Sequence, residues 1–136
     1  MTDASSAGKL VLVADDEQEM RDLVCFVLGD AGLRTVTAAD GEEVLDQALR
    51  HQPALIIMDV MMPNMDGYTT LTRLRDQPTT KGIPVIVLTA QQEPVHRTLS
   101  AGLGAVAHLA KPFSARELTD LVSRALGGVP AGGDGQ

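Results

Sequence analysis

Five short segments of apolar and β-branched residues predict β-strands. They occupy residues 10–14, 35–38, 55–58, 84–88 and 105–110. Most of these segments are apolar at every position and do not alternate with polar residues. That pattern is typical of strands covered on both faces of a parallel sheet.

Apolar residues also recur at helical spacing after each strand and predict five helices. The apolar stripes lie within residues 20–31, 44–49, 68–74, 92–103 and 118–126. Gly32 closes the first helix, whereas Asp40 with Glu43, and Ser114 with Glu117, have the spacing of capping boxes. The fourth stripe is the thinnest, so we expect that helix to be held least firmly.

Five strand–helix pairs predict an α/β fold with one doubly wound parallel sheet and helices on both faces. A length of 136 residues suits one domain with one core. This domain is predicted to cover residues 9–126. We expect residues 1–8 to be flexible, and residues 127–136 to be a flexible tail or a linker.

Composition narrows the class of function. The formal net charge of −7 argues against binding a nucleic-acid backbone, and the absence of Trp removes a common platform for stacking bases or flat cofactors. The single cysteine, Cys25, excludes an internal disulfide and is predicted to be a buried, inert thiol. No apolar run approaches the roughly 20 residues that cross a bilayer, and the N-terminus lacks the features of a signal peptide. We therefore expect a cytoplasmic protein with no membrane contact.

Polar residues follow four of the predicted strands, at the edge where α/β sheets hold their ligands. In chain order they are Asp15, Asp16, Asp59, Thr89 and Lys111. Each has an ordinary explanation as a helix cap, a turn residue, a strand-end hydroxyl or a solvated lysine. Chance placement of the whole set at one edge is a poor explanation.

Three crowded carboxylates repel one another, and a hard divalent cation such as Mg²⁺ relieves that repulsion. The hydroxyl of Thr89 and the ammonium of Lys111 can bind phosphoryl oxygens. The set therefore predicts a site that receives a phosphoryl group, with Asp59 as the nucleophile.

Four motifs resemble the receiver domain of a bacterial two-component response regulator. They are VLVADDE, MDVMMPNMDG, LTA at residues 88–90 and KPF at residues 111–113. The resemblance implies a flavodoxin-like sheet with strand order 2-1-3-4-5. It also implies that Asp59 accepts a phosphoryl group from a phosphohistidine on a sensor histidine kinase or phosphotransfer protein. Mg²⁺ ligands would come from Asp15 (largely through water), Asp16, Asp59 and the backbone carbonyl of Met61.

By the same resemblance, Thr89 and Lys111 would bind the phosphoryl oxygens, and the Lys111–Pro112 bond would be cis. Such a domain is a phosphoacceptor, not an enzyme, although it assists its own phosphorylation and dephosphorylation. Phosphorylation would switch the surface of the fourth helix, fifth strand and last helix, which contacts a downstream protein or a second receiver. The first helix near Met20 and Val24, with the 112–113 loop, would dock the kinase. No output domain follows residue 126, so we expect a stand-alone regulator or a receiver cut from a longer chain.

Three positions depart from the family pattern. His108 stands where many receivers carry Tyr or Phe, and is either a locally satisfied strand residue or a pH-sensitive switch residue. Met61 and Gln91 border the path of attacking water in this family, so we expect them to tune the lifetime of the phosphoryl group. An apolar Met61 would slow its loss.

The sequence lacks the motifs that competing functions require. A flavodoxin-like electron carrier needs stacking aromatics, and a P-loop nucleotide binder needs a glycine-rich loop ending in Lys-Ser or Lys-Thr. A haloacid-dehalogenase-type phosphatase needs a second acid where Met61 stands. The remaining alternative is a receiver fold used as a phosphorylation-independent protein-interaction module.

Overall fold

A computed structural model describes residues 8–89 and 102–127 of the chain. Its five strands form one parallel sheet in the order β2-β1-β3-β4-β5, which confirms the predicted topology. In chain order the elements are β1 Leu10–Ala14, α1 Gln18–Asp30, β2 Arg34–Ala38, α2 Gly41–His51, β3 Leu55–Asp59, α3 Gly67–Asp76, β4 Val85–Thr89, β5 Ala107–Ala110 and α4 Ala115–Ala125.

Two hydrophobic clusters lie on opposite faces of the sheet. Leu12 and Ile56 point to one cluster, which α2 and α3 cover. Val13 and Ile57 point to the other, which α1 and α4 cover. Because successive strand residues point to opposite faces, strands covered on both faces must be apolar throughout. This explains the continuous apolar runs of β1 and β3, and it confirms the prediction of helices on both faces.

The caps of α2 and α4 follow the predicted spacing. Ser114 and Glu117 form a complete capping box at the start of α4. At the start of α2, the Asp40 side chain accepts from the backbone N–H of Glu43 at 2.9 Å. The Glu43 carboxylate accepts from Ala39, one residue before the cap, so this box is displaced by one residue.

Some predicted details differ in the structure. β5 begins at Ala107, two residues later than predicted, and β3 and β4 extend to include Asp59 and Thr89. Cys25 is half-buried and not fully buried, because its position on α1 lies at the margin of the core. The predicted fourth helix over 92–103 lies outside the described residues except for its last two positions. None of the described helices combines the length and hydropathy that a membrane span requires.

Candidate functional site

The predicted acids meet at the carboxyl edge of the sheet. β1 and β3 are neighbours, and Ala14 is in register with Met58. The next residues along the two strands, Asp15 and Asp59, therefore converge. Ligand oxygens of Asp15, Asp16 and Asp59 lie within 4.8 Å of one another. Asp15 and Asp59 are buried, whereas Asp16 is exposed. The cluster is therefore open to solvent on the Asp16 side.

Lys111 joins the two buried acids. Its Nζ lies 2.8 Å from Oδ2 of Asp15 and 2.7 Å from Oδ2 of Asp59, although the three residues are far apart in the sequence. The lysine follows β5, and its backbone N–H donates to the carbonyl of Thr89 at 2.7 Å. The Lys111–Pro112 peptide bond is cis, as expected.

Burial and charge act against each other at these residues. Burial raises the pKa of the Asp59 carboxyl above its usual range, although hydrogen bonds from Lys111 and Met61 oppose that change. Burial alone would lower the pKa of Lys111, but the two carboxylates outweigh it and the pKa is raised. The lysine therefore keeps its positive charge, but that charge offsets only part of the cost of burying the Asp59 carboxylate.

Backbone N–H groups and one side chain of α1 hold the acids in position. The N–H of Glu17 donates to Oδ1 of Asp15, and the N–H of Met61 donates to Oδ1 of Asp59, each at 2.9 Å. Arg21, one turn into α1, donates to the backbone carbonyl of Asp15 at 2.5 Å. Sequence reasoning did not find Arg21. The only signal was a basic residue on the first turn of a helix that follows an acidic pair.

The other predicted residues are distributed as follows. Thr89 is buried at the end of β4 and pairs with Ala110 of β5. His108 pairs with Val87, so it lies on the same face of the sheet as Thr89. Met61, whose backbone N–H donates to Asp59, is 66% exposed at the rim of the acidic cluster. Gln91 lies outside the described residues.

The donor set fits a small hard cation. Carboxylate oxygens are the ligands that Mg²⁺ prefers, and three of them converge here from two neighbouring strands. The loop after β3 also places the Met61 peptide beside Asp59 through the hydrogen bond to Oδ1. The residues present are therefore chemically suited to magnesium.

Comparison with known proteins identifies the family. A profile of the response regulator receiver domain matches residues 11–123. The chain belongs to this family. The resemblance and the flavodoxin-like fold predicted from the sequence are therefore both confirmed. Receiver domains are signalling modules and not classical enzymes.

Relatives and solved structures agree with this assignment. The transcriptional regulatory protein PhoP of Bacillus subtilis is 39% identical over 119 residues, which are 88% of this chain and 49% of PhoP. The chain therefore spans about half the length of the curated relatives it matches. The chemotaxis response regulator CheY4 of Vibrio cholerae is 34% identical with a TM-score of 0.83, covering 88% of this receiver and 99% of CheY4.

One solved neighbour holds a metal. It is the receiver domain of a sensor histidine kinase from Pseudomonas aeruginosa, described with a magnesium ion coordinated in its active-site cleft. That domain is 30% identical, with a TM-score of 0.83 and coverage of 89% of this chain and 99% of the neighbour.

The expected kinase-docking surface needs one correction. The surface was predicted near Met20 and Val24, but Val24 is fully buried in the core, so its side chain is not part of that surface. Val24 faces the sheet because it belongs to the apolar stripe that packs α1 onto the domain. The large apolar residues that α1 exposes are Leu23 and Phe26, at 48% and 73% exposure.

Proposed function

We propose that Asp59 of this receiver domain accepts a phosphoryl group from a phosphohistidine on a sensor histidine kinase or phosphotransfer protein. The observation that carries the proposal is the position of Lys111, whose Nζ is 2.7 Å from Oδ2 of Asp59 and 2.8 Å from Oδ2 of Asp15. A structural salt bridge needs one acid. A lysine between two buried acids, with a third nearby, matches the charge pattern of a phosphoryl site.

The reaction is a phosphoryl transfer between two side chains. An oxygen of the ionised Asp59 carboxylate forms a bond to phosphorus as the bond from phosphorus to the histidine nitrogen breaks. The ring nitrogen keeps the electron pair, and the product is an acyl phosphate on Asp59. Lys111 and the hydroxyl of Thr89 bind the phosphoryl oxygens in this scheme.

In the proposed site Mg²⁺ would be held by Asp16, Asp59 and the carbonyl of Met61, and Asp15 would act largely through water. When bound, the cation would supply positive charge that screens the acids and the incoming phosphoryl group. The convergence of three carboxylates within 4.8 Å supports this assignment. So does the magnesium described in the cleft of the Pseudomonas receiver.

Phosphorylation adds negative charge close to Thr89 and Lys111 and so biases a two-state equilibrium. We infer that the responding surface comprises β5, α4 and the helix predicted over 92–103. A downstream protein or a second receiver binds that surface, while the kinase docks on α1 near Met20 and Leu23 with the 112–113 loop. In this proposal the receiver extends over residues 9–126.

The test is incubation with Mg²⁺ and acetyl phosphate, followed by intact mass measurement. We expect a phosphoryl mass gain in the wild type and none in Asp59→Asn. The matched control is Asp46→Asn, which makes the same change at an exposed aspartate on α2 and should keep the gain. No gain in the wild type with acetyl phosphate or with phosphorylated kinases would contradict the proposal and favour the interaction-only module.

A further inference from the structure

The loop between Asp59 and α3 is fixed at both of its ends. The N–H of Val60 donates to the carbonyl of Leu88, and the N–H of Gly67 donates back to the carbonyl of Val60 at 2.9 Å. Between these points the chain turns at Asn64, which has a left-handed φ of 68°. Asn tolerates this conformation better than most residues.

Asn64 also connects the middle of this loop to another helix. Its Nδ2 donates to Oδ2 of Asp40 at 2.8 Å, across 24 positions of sequence. The other oxygen of Asp40 caps α2 through Glu43. Hydrogen bonds from Glu43 and Asn64 hold the pKa of the Asp40 carboxyl below its usual range, so the bond from the amide is made to a charged acceptor.

Close packing reinforces this connection. A Cβ at Gly41, the first residue of α2, would lie 2.5 Å from the carbonyl oxygen of Met65 and 2.2 Å from Oγ1 of Thr70. Only a glycine lets the start of α2 approach the loop so closely. The loop therefore rests on α2 by backbone packing at Met65 and by the Asp40 hydrogen bond at Asn64.

We propose that the Asp40–Asn64 hydrogen bond is a positioning contact that holds the loop after Asp59, and with it the carbonyl of Met61, in the geometry that binds Mg²⁺. The inference rests on the proposed function, because it concerns the metal of that same site. Asp40 and Asn64 touch neither metal nor substrate. They act through the loop, as outer partners of metal ligands commonly do.

Two substitutions remove the bond and spare its surroundings. Asp40→Ser keeps a hydroxyl that can cap α2 but lacks the second oxygen that accepts from Asn64. Asn64→Gly removes the amide and suits the left-handed backbone. Val122→Ala is the matched control, because it destabilises the core under α4 without touching the loop.

The measurements are Mg²⁺ affinity by calorimetry and amide hydrogen exchange over residues 60–66 in metal-free protein. We expect each substitution to weaken Mg²⁺ binding by about five-fold, the change that the loss of one ordinary hydrogen bond produces. Exchange in the loop should rise as well. The double variant should lose no more affinity than either single variant, because both remove the same bond.

The inference would be overturned by wild-type affinity and exchange in both single variants, by additive losses in the double variant, or by an equal loss in Val122→Ala. Each of these results leaves the proposed function intact if the wild type binds Mg²⁺. A wild-type protein that binds no Mg²⁺ would overturn the proposed function and this inference together.

Discussion

Asp59 occupies a position where burial and nearby charge oppose each other. The residue is only 6% exposed, and the neighbouring Asp15 carboxylate adds repulsion. Lys111 lowers the pKa of Asp59 but does not outweigh burial. In the folded protein, ionising this carboxyl therefore costs free energy, although the proposed reaction needs the ionised form as its nucleophile.

This imbalance predicts a pH-dependent effect of Asp59→Asn on stability. A raised pKa means that the folded state binds the proton more tightly, so the wild type loses stability as the pH rises above the ordinary carboxyl pKa of 3.8. The neutral amide introduced by Asp59→Asn carries no charge, so it avoids the free-energy cost of burying an ionised carboxylate. In metal-free protein we expect Asp59→Asn to be more stable than the wild type at neutral pH, with the gain vanishing below that pKa.

Urea denaturation in the presence of a chelator measures this difference. Asp46→Asn, at an exposed site, should unfold like the wild type both at neutral pH and below the ordinary carboxyl pKa. Added Mg²⁺ should stabilise the wild type and not Asp59→Asn, because a ligand that binds only the folded state adds to its stability. A less stable Asp59→Asn at neutral pH would show that Lys111 outweighs burial after all.

A second single-residue prediction concerns the lifetime of the acyl phosphate. Met61 is exposed at the rim of the acids, and its backbone N–H is bound to Asp59. Replacing it with Asn should admit and orient water, so we expect the phosphoryl group of Met61→Asn to be lost several-fold faster, as positioned polar groups assist water attack. Decay of the intact-mass signal measures it. The control is Leu49→Asn, the same type of change on α2, which should lose its phosphoryl group at the wild-type rate. Slower loss from Met61→Asn than from the wild type would contradict this prediction.

At the scale of elements, the strands and most helices could be predicted because their cause is local. A strand buried on both faces must be apolar throughout, and a capping box needs only four residues. Contacts between elements could not be predicted this way. Arg75 of α3 donates to the carbonyls of Ile83 and Gly104, and Asn64 binds Asp40, across separations that no periodicity encodes.

The junction of β3 with α3 yields a prediction at this scale. A Cβ at Gly67 would lie 2.7 Å from Cα of Val60 and 2.8 Å from the carbonyl oxygen of Asp59. Gly67→Ala should therefore destabilise the protein by about 1–3 kcal/mol, the usual cost of overpacking. It should also weaken Mg²⁺ binding, because the displaced backbone belongs to β3 and its continuation, which carry Asp59.

The matched control is a glycine with free space. A Cβ at Gly29, within α1, meets nothing within 4 Å. Gly29→Ala should stabilise the protein by about 0.5–1 kcal/mol, since Ala is the better helix former. Chemical denaturation of both variants measures the difference, and equal stabilities would refute the packing account of the β3–α3 junction.

At the scale of the whole molecule, the site exists because parallel strands end at one edge. Asp15, Asp59, Thr89 and Lys111 were predictable as a set, since each follows or ends a strand whose position the apolar pattern indicates. The ion pairs of Lys111 with both Asp15 and Asp59 were not predictable, because they depend on how far the end of β5 lies from the ends of β1 and β3. The contact of Arg21 with Asp15 and that of Asn64 with Asp40 were not predictable either, because no apolar pattern indicates which helix and loop residues meet.

The central claim is that Asp59 is the phosphoacceptor. Its most direct test is to phosphorylate the wild type with acetyl phosphate and Mg²⁺, reduce it with borohydride and map the peptides. Borohydride converts an aspartyl phosphate to homoserine and so marks the acceptor. We predict homoserine at position 59 alone, and none when Mg²⁺ is chelated. Homoserine at another aspartate, or none at any position in a phosphorylated sample, would contradict the claim.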